Sequence, residues 1–335
     1  MTGGPLSGLA VADGATLAVD PAVARGLAIA GRICAGLGMR VLAPADAPAR
    51  AAALGFGAAD AAFLLAGRTP VADLAAALSG ADGALLPAGV DPPRLPRATA
   101  LLSMGAAAPC TEFTVMAATG SLELVGDPGG APLRLAGHQL AHSAGLAAQT
   151  ALVALLFRGA GAAPDVVEVS LAEVGLWLNW KSIVSAAVRD LVLSRAGRHA
   201  EWQVMRCKDG WVGVVYRATD WPAFKAMLDD PRLEAPRFAT RALRRANAAA
   251  LADILEAGLM RFTRAEIHAE AGRRRIPLGP VWSPRELFAD PHYRARGFLW
   301  DGAGPVPPRL PLIWNGAAVD AVARATQRNL EETGS

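Results

Sequence analysis

Short apolar runs alternate with amphipathic stretches rich in alanine and leucine from Leu9 to about Met104. This alternation is typical of parallel strands joined by crossover helices. Asp20 and Pro21 suit the N-cap and the first position of a helix, and Gly38 stands where a glycine commonly follows a helix. The predicted elements are, in order, strand 9–13, helix 21–37, strand 39–43, helix 71–78, strand 83–86 and strand 98–103. We therefore predict an α/β fold with a doubly wound parallel sheet for this part of the chain.

The pattern changes in the second half of the chain. A long helix is predicted over 137–157, a strand over 166–170 and a second long helix over 171–193. The polar residues 195–201 are typical of a hinge, and a strand over 211–216 is followed by arginine-rich helical sequence. We therefore predict a large α/β domain over 1–195, a small α+β domain over 200–282, and a C-terminal segment over 283–335 that returns to the large domain.

The composition narrows the class of protein. The chain has 335 residues, of which 53% are hydrophobic and 19% charged, and this balance is typical of a folded globular protein. Basic and acidic residues are interspersed with a net charge of +3, so no nucleic-acid-binding surface is expected. Three widely spaced cysteines favour a reducing cytoplasm over a disulfide scaffold. The N-terminus lacks the basic segment of a signal peptide, and apolar runs such as 144–157 fall short of the roughly 20 residues of a membrane span.

A series of motifs follows one another along nearly the whole chain. One stretch is Val167-Glu-Val-Ser-Leu-Ala-Glu173, and another is Ala289-Asp-Pro-His-Tyr-Arg-Ala-Arg-Gly297. The others lie at 6–13, 36–42, 112–120, 126–134, 209–211, 236–240 and 276–281. Taken in this order, the motifs resemble those of the family III CoA-transferases of the CaiB/BaiF type.

The resemblance implies a CoA-binding α/β domain, a smaller α+β domain, and a homodimer whose two chains thread through each other like linked rings. It also implies chemistry on an acyl-CoA thioester, with coenzyme A or acyl-CoA as substrate and a carboxylic acid as the other small-molecule partner. Transferases of this family attack the thioester carbonyl with an aspartate. The racemase branch instead uses a histidine and that aspartate to move a proton at the neighbouring carbon.

This chain departs from the family pattern at both catalytic positions. Ala141 or His142 stands where the family has its aspartate, and Thr111 replaces the racemase histidine while Glu112 keeps the acid beside it. An imidazole can act as a general base near neutral pH because its unperturbed pKa is about 6.5. We therefore predict that His142 is catalytic and pairs with Glu112, which orients the ring or shares its proton. The alternative is that His142 caps the helix in a site that has lost its chemistry.

Candidate ligand contacts are fewer than the resemblance implies. No glycine-rich segment forms a G-x-G-x-x-G or P-loop motif. Arg25 and Gly26, near the start of the first helix, are the predicted contacts for pantetheine and diphosphate, and Gly89 and Thr111 complete the predicted CoA-binding set. His138 and His142 have a spacing that can ligate zinc, but no glutamate follows His138, so no metal is expected.

Two functions remain open from the sequence. The first is an enzyme that acts on an acyl-CoA thioester, by CoA transfer or by isomerisation at the α-carbon. The second is a catalytically silent partner subunit or acyl-CoA-binding protein of the same fold, and one arrangement of such a subunit is a hetero-oligomer with an aspartate-containing paralogue.

Overall fold

The computed structural model describes residues 4–92, 94–105, 110–159, 163–189, 195, 202–298 and 308–323. The chain divides into two compact units. The first comprises residues 1–125, 133–193 and 291–335, and the second comprises residues 126–132 and 194–290. The end of the predicted helix at 190–193 and most of the predicted hinge at 195–201 lie outside the described residues.

A six-stranded parallel sheet forms the centre of the first unit. Its strands, in spatial order, are β3 (Arg68–Val71), β2 (Arg40–Pro44), β1 (Ala10–Asp13), β4 (Gly83–Pro87), β5 (Ala98–Ser103) and β6 (Asp165–Ser170). The strand order reverses between β1 and β4. The crevice beside the carboxyl ends of these two strands is therefore the topological switch point, where doubly wound sheets bind their ligands. The predicted α/β fold is confirmed.

Helices flank this sheet. They are α1 (Pro21–Gly36), α2 (Ala47–Ala53), α3 (Ala58–Leu64), α4 (Leu74–Leu78), α5 (Glu112–Ala118), α6 (Gln139–Arg158), α7 (Leu171–Leu178) and α8 (Trp180–Arg189). The start of α1 is fixed as its sequence predicts. The side chain of Asp20 accepts hydrogen bonds from the amides of Ala22 (2.7 Å) and Val23 (3.3 Å). Gly38 follows the helix with φ +95°, which a residue with a side chain rarely adopts.

Helices α1 and α6 cross at two glycines. A methyl group on Gly145 would overlap the carbonyl oxygen of Gly26. A methyl group on Gly26 would lie 2.6 Å from Cδ2 of Leu102 and 3.1 Å from the carbonyl oxygen of Ala141. The two backbones therefore pack without intervening side chains, and this contact sets the position of α6 against the sheet.

Two sequence-based predictions of secondary structure were wrong. The helix expected over 71–78 begins only at Leu74, because Val71 is the last residue of the unpredicted edge strand β3. The long helix expected from Leu171 is interrupted at Asn179, so that α7 and α8 are separate. The side-chain amide of Asn179 donates to the carbonyl oxygen of Thr119 (3.0 Å), and this hydrogen bond holds the interruption against the end of α5.

The second unit has its own core around a three-stranded antiparallel sheet. Strands β7 (Gln203–Cys207), β8 (Gly210–Val214) and β9 (Leu278–Pro280) pair in that order. Its helices are α9 (Trp221–Leu228), α10 (Arg241–Ala246), α11 (Ala248–Leu259), α12 (Arg264–Arg274) and α13 (Pro284–Ala289). One face of the sheet, including Met205 and Val212, packs with Phe224 and Leu255 in a separate hydrophobic cluster.

The C-terminal segment belongs to the first unit. It comprises α14 (Pro291–Ala295) and, within residues 308–323, a short hairpin of β10 (Ile313–Trp314) and β11 (Ala317–Ala318). Asp320, which is 2% exposed, accepts two hydrogen bonds from the guanidinium of Arg32 on α1, at 2.7 and 3.2 Å. It also accepts from the amides of Leu310, Val322 and Ala323. A buried ion pair thus joins the C-terminal segment to α1, although the two residues are 288 positions apart in sequence.

Helix α6 is 20 residues long and apolar enough, with mean hydropathy 1.6, to cross a membrane by length and composition alone. The expectation that no apolar segment reaches this length is therefore wrong. A third of its most apolar window is buried, and α6 packs on α1 and on the central strands. A helix in the core of a globular unit meets the same length and composition criteria, so the finding is weak evidence for a membrane span.

Candidate functional site

The candidate site lies at the carboxyl edge of the large sheet. Helix α5 begins after the connection that leaves β5, and α6 runs from this edge back to the start of β6. In a parallel sheet the connections that leave the strands and the starts of the following helices lie at the same edge. The first residues of α5 and α6 are therefore brought together at this edge of the sheet.

Glu112, the first residue of α5, binds the start of α6. Its Oε2 lies 2.7 Å from Nδ1 of His138, and its Oε1 accepts a hydrogen bond from the amide of Ala141 at 3.1 Å. The Glu112 side chain is 10% exposed and that of His138 is 38% exposed. A buried carboxylate needs hydrogen bonds for its oxygens, and here both have one.

The backbone before α6 turns sharply to bring His138 to this place. Gly137 has φ +86°, and His138, the N-cap residue, has φ 55° and ψ 44°. The left-handed conformation costs a residue with a side chain roughly 1–2 kcal/mol. The hydrogen bonds from His138 and Ala141 to Glu112 offset this cost, because they can form only when the turn is made.

His142 lies one helical turn beyond His138, and its side chain is exposed. The pKa of His142 is lowered, chiefly because neighbouring groups partly desolvate the ring and disfavour its charged form. The charges of His138 and Arg25 also lower this pKa, whereas those of Glu112 and Asp60 raise it. No hydrogen bond to the ring of His142 is present within the described part of the chain.

In the structure Glu112 contacts His138 and the amide of Ala141, and no hydrogen bond between Glu112 and His142 is present within the described residues. The catalytic role predicted for His142 stays a prediction. The four-residue spacing of His138 and His142 in the sequence did not show which of them Glu112 reaches. That choice depends on the left-handed conformation of His138, which spacing alone does not reveal.

Two of the predicted CoA contacts are structural. The guanidinium of Arg25, whose side chain is 8% exposed, donates to Asp60 (2.9 Å) and to the carbonyl oxygen of Gly55 (3.1 Å), and it stacks on Phe56. Gly26 is buried at the contact between α1 and α6. Both residues therefore have a structural role, and their predicted contacts with diphosphate and pantetheine stay predictions.

The other two predicted CoA contacts are accessible. Gly89 follows β4, is exposed, has φ +88° and has open space where a side chain would be. Thr111 is exposed, but its hydroxyl group lies in a capping box with Thr114 at the start of α5. Gly89 therefore lies at the switch-point edge with open space beside its backbone, whereas the hydroxyl group of Thr111 caps α5.

The arrangement fixes the chemistry that is available. The neutral tautomer of His138 that fits this contact donates from Nδ1 to the Glu112 carboxylate and has its free lone pair on Nε2. Within the described residues, no group of three or more histidine, cysteine, aspartate or glutamate side chains could hold a metal ion. The cluster can therefore accept and return a proton at His138.

Two comparisons of the sequence with known proteins gave different results. The sequence model that describes CoA-transferase family III matches residues 103–328, about two thirds of the chain. No curated protein matches the chain.

Solved structures with the same fold are similar over nearly the whole chain. A CAIB/BAIF family protein from Brucella suis has a TM-score of 0.78 and 20% identity, with 98% of this chain and 100% of that chain covered. Rv3272 from M. tuberculosis has a TM-score of 0.72 and 20% identity, with coverages of 96% and 95%. At this level of identity the similarity shows a common fold.

Proposed function

Because the chain belongs to CoA-transferase family III, we propose that it is an enzyme that acts on an acyl-CoA thioester, with imidazole chemistry at the start of α6. The observation that carries the proposal is the 2.7 Å contact between the buried Glu112 and His138. It joins a base to its orienting carboxylate at the edge of the sheet where doubly wound folds bind ligands. The family implies CoA thioesters as substrates.

The proposed position of the thioester follows from the sheet. The turn at Gly89 lies at the carboxyl end of β4, beside the reversal of strand order between β4 and β1. A glycine with positive φ and open space beside it allows a ligand to approach the backbone closely. We therefore expect the pantetheine arm to pass Gly89 and the acyl group to reach the start of α6.

Proton transfer at the α-carbon is favoured over CoA transfer. The family route of transfer requires a carboxylate that attacks the thioester, but Ala141 and His142 stand at that place. Glu112 is the carboxylate nearest the start of α6, and it is buried with both oxygens hydrogen-bonded. Attack by Glu112 on a thioester would therefore compete with the hydrogen bonds that hold its carboxylate at the start of α6.

The test combines exchange and transfer in one reaction. The purified protein is incubated in D₂O with a panel of acyl-CoA thioesters, with and without an acceptor carboxylic acid. Mass spectrometry then follows deuterium at the α-carbon and the exchange of CoA between acids. We expect deuterium uptake that does not require the acceptor.

Variants link any activity to the site. The double variant His138→Asn, His142→Asn should lose deuterium uptake, whereas His268→Asn, an exposed histidine on α12, should retain it. Failure of the parent protein to bind any thioester in calorimetry would contradict the proposal and favour a silent partner subunit. CoA exchange between acids, without uptake of deuterium, would contradict the assignment to proton transfer.

We also propose that the protein is a homodimer with the interlocked chains that the family resemblance implies. Large apolar side chains are exposed along α7 and α8, among them Trp177 at 77% and Val188 at 75%. Others on the same two helices are Leu176, Leu178, Trp180, Ile183 and Val184. Apolar surface of this kind marks a contact with another chain. The cytoplasm remains the predicted compartment.

Sedimentation measures the oligomeric state directly. We expect a dimer that persists on dilution, because interlocked chains cannot separate without unfolding. The double variant Trp177→Glu, Val188→Glu should fail to assemble into the dimer when it folds, while Lys181→Glu on exposed α8 should assemble normally. A monomeric parent protein would contradict the proposal.

A further inference from the structure

Of the two histidines at the start of α6, His138 is the one whose ring is hydrogen-bonded to Glu112. We propose that His138 is the base that exchanges a proton with the substrate and that Glu112 is its positioning residue, an assignment that rests on the proposed function. The geometry that supports it consists of one short contact, one buried carboxylate and one strained backbone turn.

Glu112 fixes both the tautomer and the direction of the His138 ring. The carboxylate is itself held in place by the amide of Ala141, at 3.1 Å, so it cannot follow the ring if the ring rotates. The His138 side chain is 38% exposed, and because Nδ1 contacts Glu112, Nε2 is the ring nitrogen left to meet a substrate.

His142 lacks these features. Its ring is exposed and has no hydrogen-bond partner within the described residues, so neither its tautomer nor its orientation is fixed. It lies on a regular turn of α6, whereas His138 occupies a left-handed conformation that most residues with a side chain avoid. Strain held at one residue and absent at its neighbour points to His138 as the residue with a function.

The proposed step is balanced without a further reactant. Nε2 of His138 takes the proton from the α-carbon of the acyl thioester, and the electron pair of the broken C–H bond moves toward the carbonyl to form an enolate. The proton on Nε2 exchanges with water, and a proton or deuteron returns to the same carbon. No bond to CoA breaks.

The kinetic test compares three single variants in the D₂O exchange assay. His138→Asn, whose side chain tolerates the left-handed conformation, should lower kcat by about 100-fold or more. His142→Asn should lower it by less than about tenfold, since it removes a neighbouring ring but not the base. A large loss in His142→Asn, with activity kept in His138→Asn, would overturn the assignment.

The variant Glu112→Gln separates positioning from packing. Its side-chain oxygen can still accept from Ala141, but its amide group would donate to Nδ1 of His138 and move the ring proton to Nε2. The fold should persist while kcat falls by about 100-fold and KM stays unchanged. A variant that folds and keeps full kcat would contradict the role of Glu112.

Chemical rescue supplies a readout that a structural role would not give. His138→Gly suits the positive φ and leaves room for a free base, so added imidazole should restore part of the lost exchange. A merely structural histidine would give no rescue. Absence of rescue in a variant that still binds the acyl-CoA would therefore overturn the proposal.

Nitrogen-15 spectroscopy of the histidine rings tests the pair without any substrate. The chain has five histidines, so the signals of His138 can be assigned by their loss in His138→Asn. We expect the proton on Nδ1 in the parent protein and on Nε2 in Glu112→Gln. A parent protein with the proton on Nε2 would overturn this inference even if the proposed function held.

Discussion

At the residue scale, the three cysteine thiols differ in how deeply they are buried. Cys34 on α1 is fully buried, and burial, reinforced by the charge of Asp13, raises its pKa to about 12. Cys207, 3% exposed in the second core, also has its pKa raised, chiefly by burial. Cys110 is half-buried and stands two residues before Glu112. A thiol reacts as its thiolate, so these environments predict different reactivities.

Thiol labelling of the native protein checks this ranking. A disulfide reagent at mildly alkaline pH should modify Cys110 first, and Cys34 and Cys207 should react only when the protein unfolds. Peptide mass spectrometry identifies the labelled residue. The variant Cys110→Ser should abolish the fast phase, and rapid modification of Cys34 in folded protein would contradict the burial shown for α1.

The lowered pKa of His142 predicts a dependence of stability on pH. The unfolded chain binds a proton at this residue near pH 6.5, whereas the folded chain binds it only at lower pH. Stability should therefore fall as the pH drops through 6.5 toward the folded value. Thermal melts between pH 5 and pH 8 should show a shallower dependence for His142→Gln. An unchanged slope would contradict the shift.

Part of the site could be predicted at the residue scale. The sequence predicted that Glu112 and an imidazole of α6 lie together. The prediction rested on two motifs that match the family, in which Glu112 and His142 stand at or beside the positions of the missing catalytic histidine and aspartate. It did not select His138, since its position depends on two successive residues with positive φ. It also assigned Arg25 to a ligand, although the guanidinium is satisfied by Asp60 on the neighbouring α3. A partner from another helix is not visible in local sequence.

At the element scale, the accuracy of prediction followed the strength of local signals. Helix α1 was predicted almost to the residue, because its cap, its proline and its following glycine all lie in sequence. Strand β3 was missed because Arg68-Thr-Pro-Val71 is short and contains a proline, which central strands exclude but an edge strand tolerates. The interruption at Asn179 depends on a hydrogen bond to α5, sixty residues away in sequence.

The crossing of α1 and α6 provides a prediction at the same scale. Gly145→Ala should destabilise the first unit by about 1–3 kcal/mol, because the methyl group would overlap Gly26. Gly272→Ala, on an exposed face of α12 with open space, should instead stabilise its helix by about 0.5–1 kcal/mol.

Hydrogen exchange measured on peptides reports on each helix separately. Amides of α1 and α6 should exchange faster in Gly145→Ala, whereas those of α12 should be unaffected or slower in Gly272→Ala. Equal protection of α6 in the parent and in Gly145→Ala would contradict the close contact of the two backbones.

At the scale of the whole chain, the pair of Arg32 and Asp320 joins the C-terminal segment to the first helix. Both side chains are almost completely buried. Burial alone would raise the pKa of Asp320, but the hydrogen bonds and charge of Arg32, with the amides of Ala323 and Leu310, lower it overall. The stabilisation is therefore present above about pH 3.8 and is lost as the pH falls through the folded value.

Removal of this charge should have a large effect. Asp320→Asn leaves the guanidinium of Arg32 buried without its counter-charge and should destabilise the first unit by about 3–5 kcal/mol. Asp46→Asn, which breaks the exposed pair with Arg50, should cost less than about 1 kcal/mol. Thermal unfolding measures both variants at neutral pH, and equal melting temperatures would contradict the structural role of the buried pair.

The same pair constrains the order in which a nascent chain can fold. Arg32 leaves the ribosome early, but its partner is synthesised 288 positions later. Until then the guanidinium must stay hydrated, since a buried charge without a partner is unfavourable. The environment of α1 is therefore completed only near the end of translation. The face of α1 that carries Arg32 therefore stays open to water until the C-terminal segment with Asp320 docks on it.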